Sequence, residues 1–167
     1  MKKRILSLLL ILCMAVSLLP TAAFAAEPTG NEASIGTQEY ATLAEAVSTA
    51  KDGETVTLLK DVTVSDTITI GKLITINGKN NTITAGNSKS AGETGFVLFK
   101  IEADNSQDAS KSGVTIQNCE FEIPGNDAEG NAKTNAWAAI LVERNKLSGL
   151  TIQNNSFNIE KTSRVPG

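Results

Sequence analysis

Residues 114–121 read Val-Thr-Ile-Gln-Asn-Cys-Glu-Phe, and residues 150–157, 36 positions later, read Leu-Thr-Ile-Gln-Asn-Asn-Ser-Phe. A looser copy, Ile-Thr-Ile-Asn-Gly, occupies residues 74–78. Self-similarity at a period of about 20–50 residues is typical of solenoids, in which each repeat buries its apolar face by stacking on the next one. The repeat therefore predicts a stacked architecture.

Each copy alternates apolar residues with threonine, which is the pattern of a β-strand with one buried face. The residue that follows the strand is Gly78, Asn118 or Asn154. Glycine and asparagine adopt a left-handed backbone more readily than other residues, so we expect a sharp structural corner at these three positions. Stacked copies would align threonines outside, isoleucines inside and the corner residues in one column. Two similar antiparallel hairpins are the alternative interpretation.

The start of the chain has the features of a secretory signal peptide over residues 1–25. A basic Lys-Lys-Arg cluster precedes a largely apolar run over residues 5–19, and residues 23–25 form a small-x-small triplet. An uncleaved anchor helix is the alternative, but the apolar run is shorter than the about 20 residues of a membrane span. We expect a secreted or cell-surface protein of bacterial origin, with no membrane span in the mature chain.

The amino-acid composition argues against some classes of binding partner. The chain of 167 residues has 18 acidic and 15 basic residues and no histidine, which suits one acidic domain and argues against nucleic acid as a partner. Cys119 is the only cysteine after the predicted leader, so no internal disulfide is expected. Because Asn155 takes its place in the next copy, Cys119 is interpreted as an ordinary repeat residue and not as a nucleophile.

The middle of the chain begins with residues 26–36, which are small and polar, and we expect a flexible lead-in there. Residues 37–54 are predicted to form an N-terminal cap. They contain one convincing helix, over about residues 43–51, because residues 42–45 fit a capping box and the apolar residues share one face. A generic surface helix is the alternative.

Short Thr/Val/Ile strands separated by bends of two or three residues continue from residue 55, and residues 55–167 are predicted to form coils of three strands each. The chain stops part-way through a repeat. We expect either that the stack is truncated at its C-terminus or that its open end takes part in self-association.

Residues 43–58, with residues 66–70 and 74–78, resemble the N-terminal part of right-handed parallel β-helix proteins. They are similar in particular to the long exported or cell-surface proteins of Gram-positive bacteria that carry pectate-lyase-like repeats. The resemblance extends from about residue 37 to the end. It implies an all-β, right-handed parallel β-helix solenoid with a short N-terminal capping α-helix. It also implies a scaffold or adhesin-like module that binds a polysaccharide or a host or cell-surface ligand.

The longer loops carry the candidate ligand-binding residues. Asp104 and Asp108 lie in one predicted loop, Asp127 and Glu129 lie in another, and Trp137 follows the second. A tryptophan beside a polar loop can stack on the face of a sugar. The alternatives are that the acidic side chains are merely solvated and that Trp137 packs over the edge of the core.

A second interpretation is the N-terminal portion of a polysaccharide lyase or glycoside hydrolase whose active site lies in coils outside this chain. A lyase of this architecture is expected to hold calcium with acidic residues and to use an Arg or Lys base, and a hydrolase needs converging carboxylates. The sequence matches neither pattern. We therefore expect no catalytic residue, metal site or cofactor in this segment, and calcium only in the enzyme alternative.

Overall fold

A computed structural model of the protein describes residues 30–87, 95–108, 111–125, 132–143 and 147–160. Within these ranges the chain is mainly β, with thirteen short strands and a single α-helix. The predicted signal peptide lies outside the described residues.

The strands have three to seven residues and are joined by short connections. In chain order the elements are β1 (Ala33–Ile35), β2 (Gln38–Tyr40), α1 (Leu43–Thr49), β3 (Thr55–Leu58), β4 (Val62–Val64), β5 (Ile68–Ile70), β6 (Thr75–Asn77), β7 (Thr82–Ala85), β8 (Phe96–Ile101), β9 (Thr115–Gln117), β10 (Glu120–Ile123), β11 (Ala136–Val142), β12 (Thr151–Gln153) and β13 (Ser156–Ile159).

The strands form three sheets, and from β3 onward each sheet takes every third strand. The first sheet has the order β12-β9-β6-β3-β1-β2, the second β13-β10-β7-β4, and the third β11-β8-β5. All neighbouring pairs are parallel except those made by β1. Consecutive strands therefore form sets with one strand per sheet: β3–β5, β6–β8, β9–β11 and the pair β12–β13. The hairpin alternative for the repeats is wrong.

The sequence repeats lie side by side in register. Ile116 pairs with Ile76 on one side and with Ile152 on the other, and Phe121 pairs with Phe157. In the inner sets these side chains are fully buried and belong to one continuous apolar core. Strands of three or four residues are unstable alone, so the core and the neighbouring strands must hold each of them in place.

Polar side chains form matching columns on the outer face of the first sheet. Gln153 Nε2 donates a hydrogen bond to Gln117 Oε1 at 2.8 Å. A column of four threonines lies beside these glutamines: Thr55, Thr75, Thr115 and Thr151. The predicted arrangement, with threonine outside and isoleucine inside, is confirmed.

Asn118 and Asn154 form the corners between the first and second sheets. Their φ angles are 54° and 53°, which confirms the left-handed backbone predicted for them. The amide group of Asn118 donates to Asn77 Oδ1 at 3.1 Å. The next asparagine, Asn155, accepts from the backbone N–H of Cys119 at 2.9 Å and donates to a carbonyl of the previous set. Asparagine therefore sets the bend and satisfies buried backbone groups beside it.

Gly78 aligns with Asn118, but the prediction of a left-handed backbone there is wrong. The left-handed residues at this corner are Lys79 and Asn80, because two additional residues separate β6 from β7. Gly78 is needed for a different reason. A Cβ on Gly78 would collide with the Asn118 carbonyl oxygen and would lie 2.7 Å from the Cα of Cys119. The neighbouring set thus leaves no room for a side chain.

The N-terminal region also differs from the prediction. Ala33–Ile35 forms β1, which is antiparallel to both β2 and β3, where a flexible lead-in was expected. The reason is that β3 begins the run of parallel strands, and its outer edge carries backbone N–H and C=O groups that need partners. Antiparallel β1 supplies them, and the buried Ala33 packs into the core.

Helix α1 packs against β1, β2, β3 and β5 through the buried residues Leu43, Ala46 and Val47. Its N-cap is as predicted, because Thr42 Oγ1 accepts from the backbone N–H of Glu45 at 3.1 Å. The helix ends at Thr49, two residues earlier than predicted, because Ala50 adopts an extended backbone with ψ of 145°. A helix of seven residues is too short to be stable alone, so its packing on the strands must maintain it.

Candidate ligand-binding surface around Trp137

Trp137 lies at a β-bulge near the start of β11. Ala136 pairs with Phe96 and Ala138 pairs with Val97, so Trp137 is the extra residue of the longer strand. A bulge redirects a side chain away from the regular alternation of a strand. Trp137 is 61% exposed, and the alternative that it packs over the edge of the core does not hold.

Gly95 lies beside the indole ring. Its φ of +73° favours glycine, and a Cβ added there would lie 3.2 Å from Cδ1 of Trp137 and would collide with the carbonyl oxygen of Asn135. That same carbonyl accepts from the backbone N–H of Phe96 at 3.2 Å. The lack of a side chain at Gly95 therefore allows the backbone segments just before β8 and β11 to approach each other.

Thr134 fixes the backbone just before the bulge. Its buried hydroxyl donates to the carbonyl oxygen of Gly86 and accepts from the backbone N–H of Ala136 at 3.0 Å. A hydroxyl can make both bonds because it carries one donor and two acceptor sites. Sequence reasoning missed Thr134 and Gly95. The one available signal was their position just before apolar strands.

The structure separates Trp137 from two of the predicted acidic residues. Trp137 is near the start of β11, whereas Asp104 and Asp108 follow the end of the parallel neighbour β8. A strand rises about 3.3 Å per residue, so the six residues of β8 place the two groups about 20 Å apart. They do not form one site. Asp127 and Glu129 lie outside the described residues.

Asp104 shapes its own loop. Its Oδ1 atom accepts from the backbone N–H of Ser106 at 2.9 Å and from the hydroxyl of the same residue at 2.7 Å. The buried Asn105 then ties this loop to a distant segment, because its Oδ1 accepts from the backbone N–H of Ser148 at 2.8 Å. Asp108 contributes a turn through its backbone N–H, which donates to the Asn105 carbonyl at 3.0 Å. Ligand contact by Asp104 or Asp108 stays a prediction.

Cys119 is buried, and burial raises the pKa of its thiol to about 11 from an ordinary value of 9.0. The reactive form of cysteine is the thiolate, which this shift suppresses near neutral pH.

In the described ranges no three His, Cys, Asp or Glu side chains come together in a way that could hold a metal ion.

Two shallow clefts lie away from Trp137. One, of about 220 Å³, lies between α1 and the β4–β5 connection and is lined by Glu32, Thr42, Leu43, Ala44, Thr63, Val64, Ser65, Asp66 and Ile68. The other, of about 240 Å³, is lined by Asp52, Gly53, Leu73, Lys111 and Ser112. In the second cleft Asp52 Oδ1 accepts from the backbone N–H of Leu73 at 3.0 Å, and this bond lowers the pKa of the carboxyl. The Asp52 carboxyl therefore already has a hydrogen-bond partner within the protein.

Comparison with models of protein families, with curated proteins and with solved structures found no match to this chain. None of the helical structure in the described residues is long and apolar enough to cross a membrane. Function must therefore be inferred from the surfaces of the chain itself.

Proposed function

We propose that this chain is an exported right-handed parallel β-helix that serves as an extracellular or cell-surface scaffold, adhesin-like in use, and binds carbohydrate through Trp137. The observation that carries the proposal is the exposed Trp137, which a bulge turns outward from a parallel sheet.

The β-helix is supported by the order of the strands from β3 onward. Consecutive strands belong to the first, the second and then the third sheet, and this order repeats along the chain. Connections between parallel strands of one sheet are right-handed in about 98% of cases, which favours that hand here. A crystal structure with left-handed connections, or with the three sheets packed as flat layers, would contradict this part of the proposal.

Carbohydrate is the favoured ligand class because of the chemistry of an exposed indole ring. The ring offers a flat apolar face that can cover the C–H face of a sugar, and its N–H can donate a hydrogen bond. Gly95 and Thr134 hold the backbone around it in place, so little conformational entropy is lost on binding.

The test is a titration of the purified chain with soluble oligosaccharides of pectic, glucan and peptidoglycan type, followed by the fluorescence of Trp137, the only tryptophan of the chain. We expect a saturable change in the emission of Trp137 with at least one of these sugars. Calorimetry with Trp137→Ala should show binding weaker by about tenfold or more, because one exposed aromatic carries much of the contact.

The control variant is Leu59→Ala, which removes an exposed apolar side chain from the β3–β4 connection and should leave binding unchanged. Binding by Trp137→Ala with the affinity of the unchanged protein would overturn the carbohydrate proposal. Calcium-dependent release of unsaturated products from the pectic oligosaccharide would support the lyase alternative in its place.

Export is proposed from the leader pattern at the start of the chain and can be tested separately. Expression of the whole chain in a bacterial secretion host should release a protein whose mass corresponds to a start at Ala26. Recovery of the intact chain from the membrane fraction would show that residues 1–25 act as an anchor and not as a cleaved signal.

A further inference from the structure

Asn77 and Gly78 form the only Asn-Gly pair in the chain, and they lie where β6 ends and the corner to β7 begins. In an unfolded chain this dipeptide loses ammonia more readily than other pairs. The reason is that glycine has no Cβ to hinder the attack of its own backbone nitrogen on the asparagine side chain. The structure places both reacting groups against the neighbouring set, β9–β11. A reactive sequence therefore lies in a restraining environment.

The attacking atom would be the backbone nitrogen of Gly78, and the neighbouring set holds it. Its N–H donates a hydrogen bond to the carbonyl oxygen of Gln117 at 2.9 Å. Gly78 is also buried, and a Cβ there would collide with the carbonyl oxygen of Asn118. The nitrogen therefore cannot turn toward the Asn77 side chain while the two sets stay stacked.

The carboxamide of Asn77 is held as well. Its Oδ1 accepts from Nδ2 of Asn118 at 3.1 Å and from the backbone N–H of Lys79 at 3.1 Å. In the parallel sheet Asn77 also pairs with Thr57 on one side and with Gln117 on the other. Closing a five-membered ring would force the backbone after Asn77 out of the extended conformation of a paired strand. The corner must therefore open before the reaction can occur.

We propose that Asn77 is a deamidation site that stacking of the β9–β11 set keeps unreactive, so that reaction there records the opening of this corner. In the open corner the Gly78 nitrogen bonds to Cγ of Asn77. Its proton leaves with the side-chain NH2 group as ammonia, and a succinimide ring remains. Water then hydrolyses one of the two ring C–N bonds, which gives either aspartate or isoaspartate at position 77. This reaction is independent of any carbohydrate bound at Trp137.

The two products differ in whether the corner can close again. Aspartate keeps an Oδ1 atom that can accept the hydrogen bonds from Asn118 and Lys79. Isoaspartate adds a methylene group to the main chain just before Gly78, where the backbone of Asn118 and Cys119 leaves no room. Formation of isoaspartate therefore makes the opening permanent, whereas aspartate only adds a negative charge.

The first experiment is incubation of the purified chain in neutral buffer, with and without a denaturing concentration of guanidinium chloride, followed by peptide mapping with mass spectrometry. In denaturant we expect Asn77 to deamidate faster than any other asparagine of the chain. In the folded chain we expect the same reaction to be slower by about tenfold or more, because only the locally open state can react.

Asn118→Asp tests the restraint on the carboxamide. It replaces the Nδ2 donor by an oxygen, keeps the shape of the side chain and retains a residue type that tolerates the left-handed backbone. The folded variant should deamidate at Asn77 about threefold faster or more, because one hydrogen bond is lost. The matched control is Asn154→Asp, the same change at the left-handed corner after β12. It should leave the rate unchanged, since β12 does not pair with β6.

Asn77→Asp supplies the aspartate product directly and tests the effect of isoaspartate. Thermal unfolding of this variant should resemble that of the unchanged chain. The isoaspartate form, separated by chromatography after incubation, should unfold at a clearly lower temperature. Equal midpoints for the two would show that the corner accommodates the longer main chain and can close again.

Three results would overturn the proposal. The first is equal rates of Asn77 deamidation with and without denaturant, since stacking would then give no protection. The second is an asparagine that reacts faster than Asn77 in the unfolded chain. The third is an equal rate at Asn77 in folded Asn118→Asp and Asn154→Asp. The first two are measured on the unchanged chain and do not depend on whether Asn118→Asp folds.

Discussion

Replacing Phe121 with alanine is expected to lower the free energy of unfolding by about 3–5 kcal/mol, which is the usual loss for a large aromatic side chain deleted from a core. Phe121 is fully buried, and its ring lies between two others. The Phe99 ring meets it edge-on with centroids 5.9 Å apart, and the Phe157 ring stacks on it at 5.0 Å. Alanine would leave a cavity inside the column. Chemical denaturation, with the midpoint and slope compared to those of the unchanged protein, measures the loss.

Phe157→Ala is the matched control because it deletes the same side chain one set later in the same column. Phe157 is half exposed, so its replacement should cost about half as much or less. Equal losses of stability for the two variants would contradict the stacking of consecutive sets. Stacking is the reason that Phe121 is buried while Phe157 is half exposed.

Gly78→Ala is expected to destabilise the protein by about 3 kcal/mol, the upper range for inserting atoms into a packed site. The new methyl group would meet the backbone of the neighbouring set at Asn118 and Cys119, and backbone atoms cannot move aside as the end of a flexible side chain can. Thermal unfolding followed by circular dichroism should show a clearly lower midpoint.

Gly71→Ala is the control for this substitution. Gly71 lies in the connection between β5 and β6, where an added Cβ would meet no atom within 4 Å, and its φ lies outside the left-handed region. Alanine there should be neutral or stabilise slightly, because it reduces the conformational freedom of the unfolded chain. A Gly78→Ala variant as stable as Gly71→Ala would mean that the corners of neighbouring sets do not touch.

The strand content and the pairing of the repeats were predictable because both follow from local patterns. Alternation of threonine with isoleucine selects a half-buried strand, and near-identical copies bury the same residues in the same way. The left-handed corners at Asn118 and Asn154 were predictable for a related reason, since they depend on the preference of one residue for one backbone conformation.

The candidate site was less predictable. Trp137 was identified from its residue type, but its exposure comes from a bulge that depends on how β11 pairs with β8. The acidic residues Asp104 and Asp108 were grouped with it because both loops are polar. The parallel order of β8 and β11 places those loops at opposite ends of a sheet, and loop composition alone contains no information about that order.

The sequence by itself determined the mainly β character, the columns of like residues and the bends at Asn118 and Asn154, because each depends on neighbours in the chain or on a repeat of similar sequence. Only the tertiary structure decided that β1 pairs antiparallel with β3, that Gly78 must lack a side chain and that Trp137 points into solvent. Each of these three features arises where one part of the chain meets a distant part, so its cause is a contact that local residue preferences do not record.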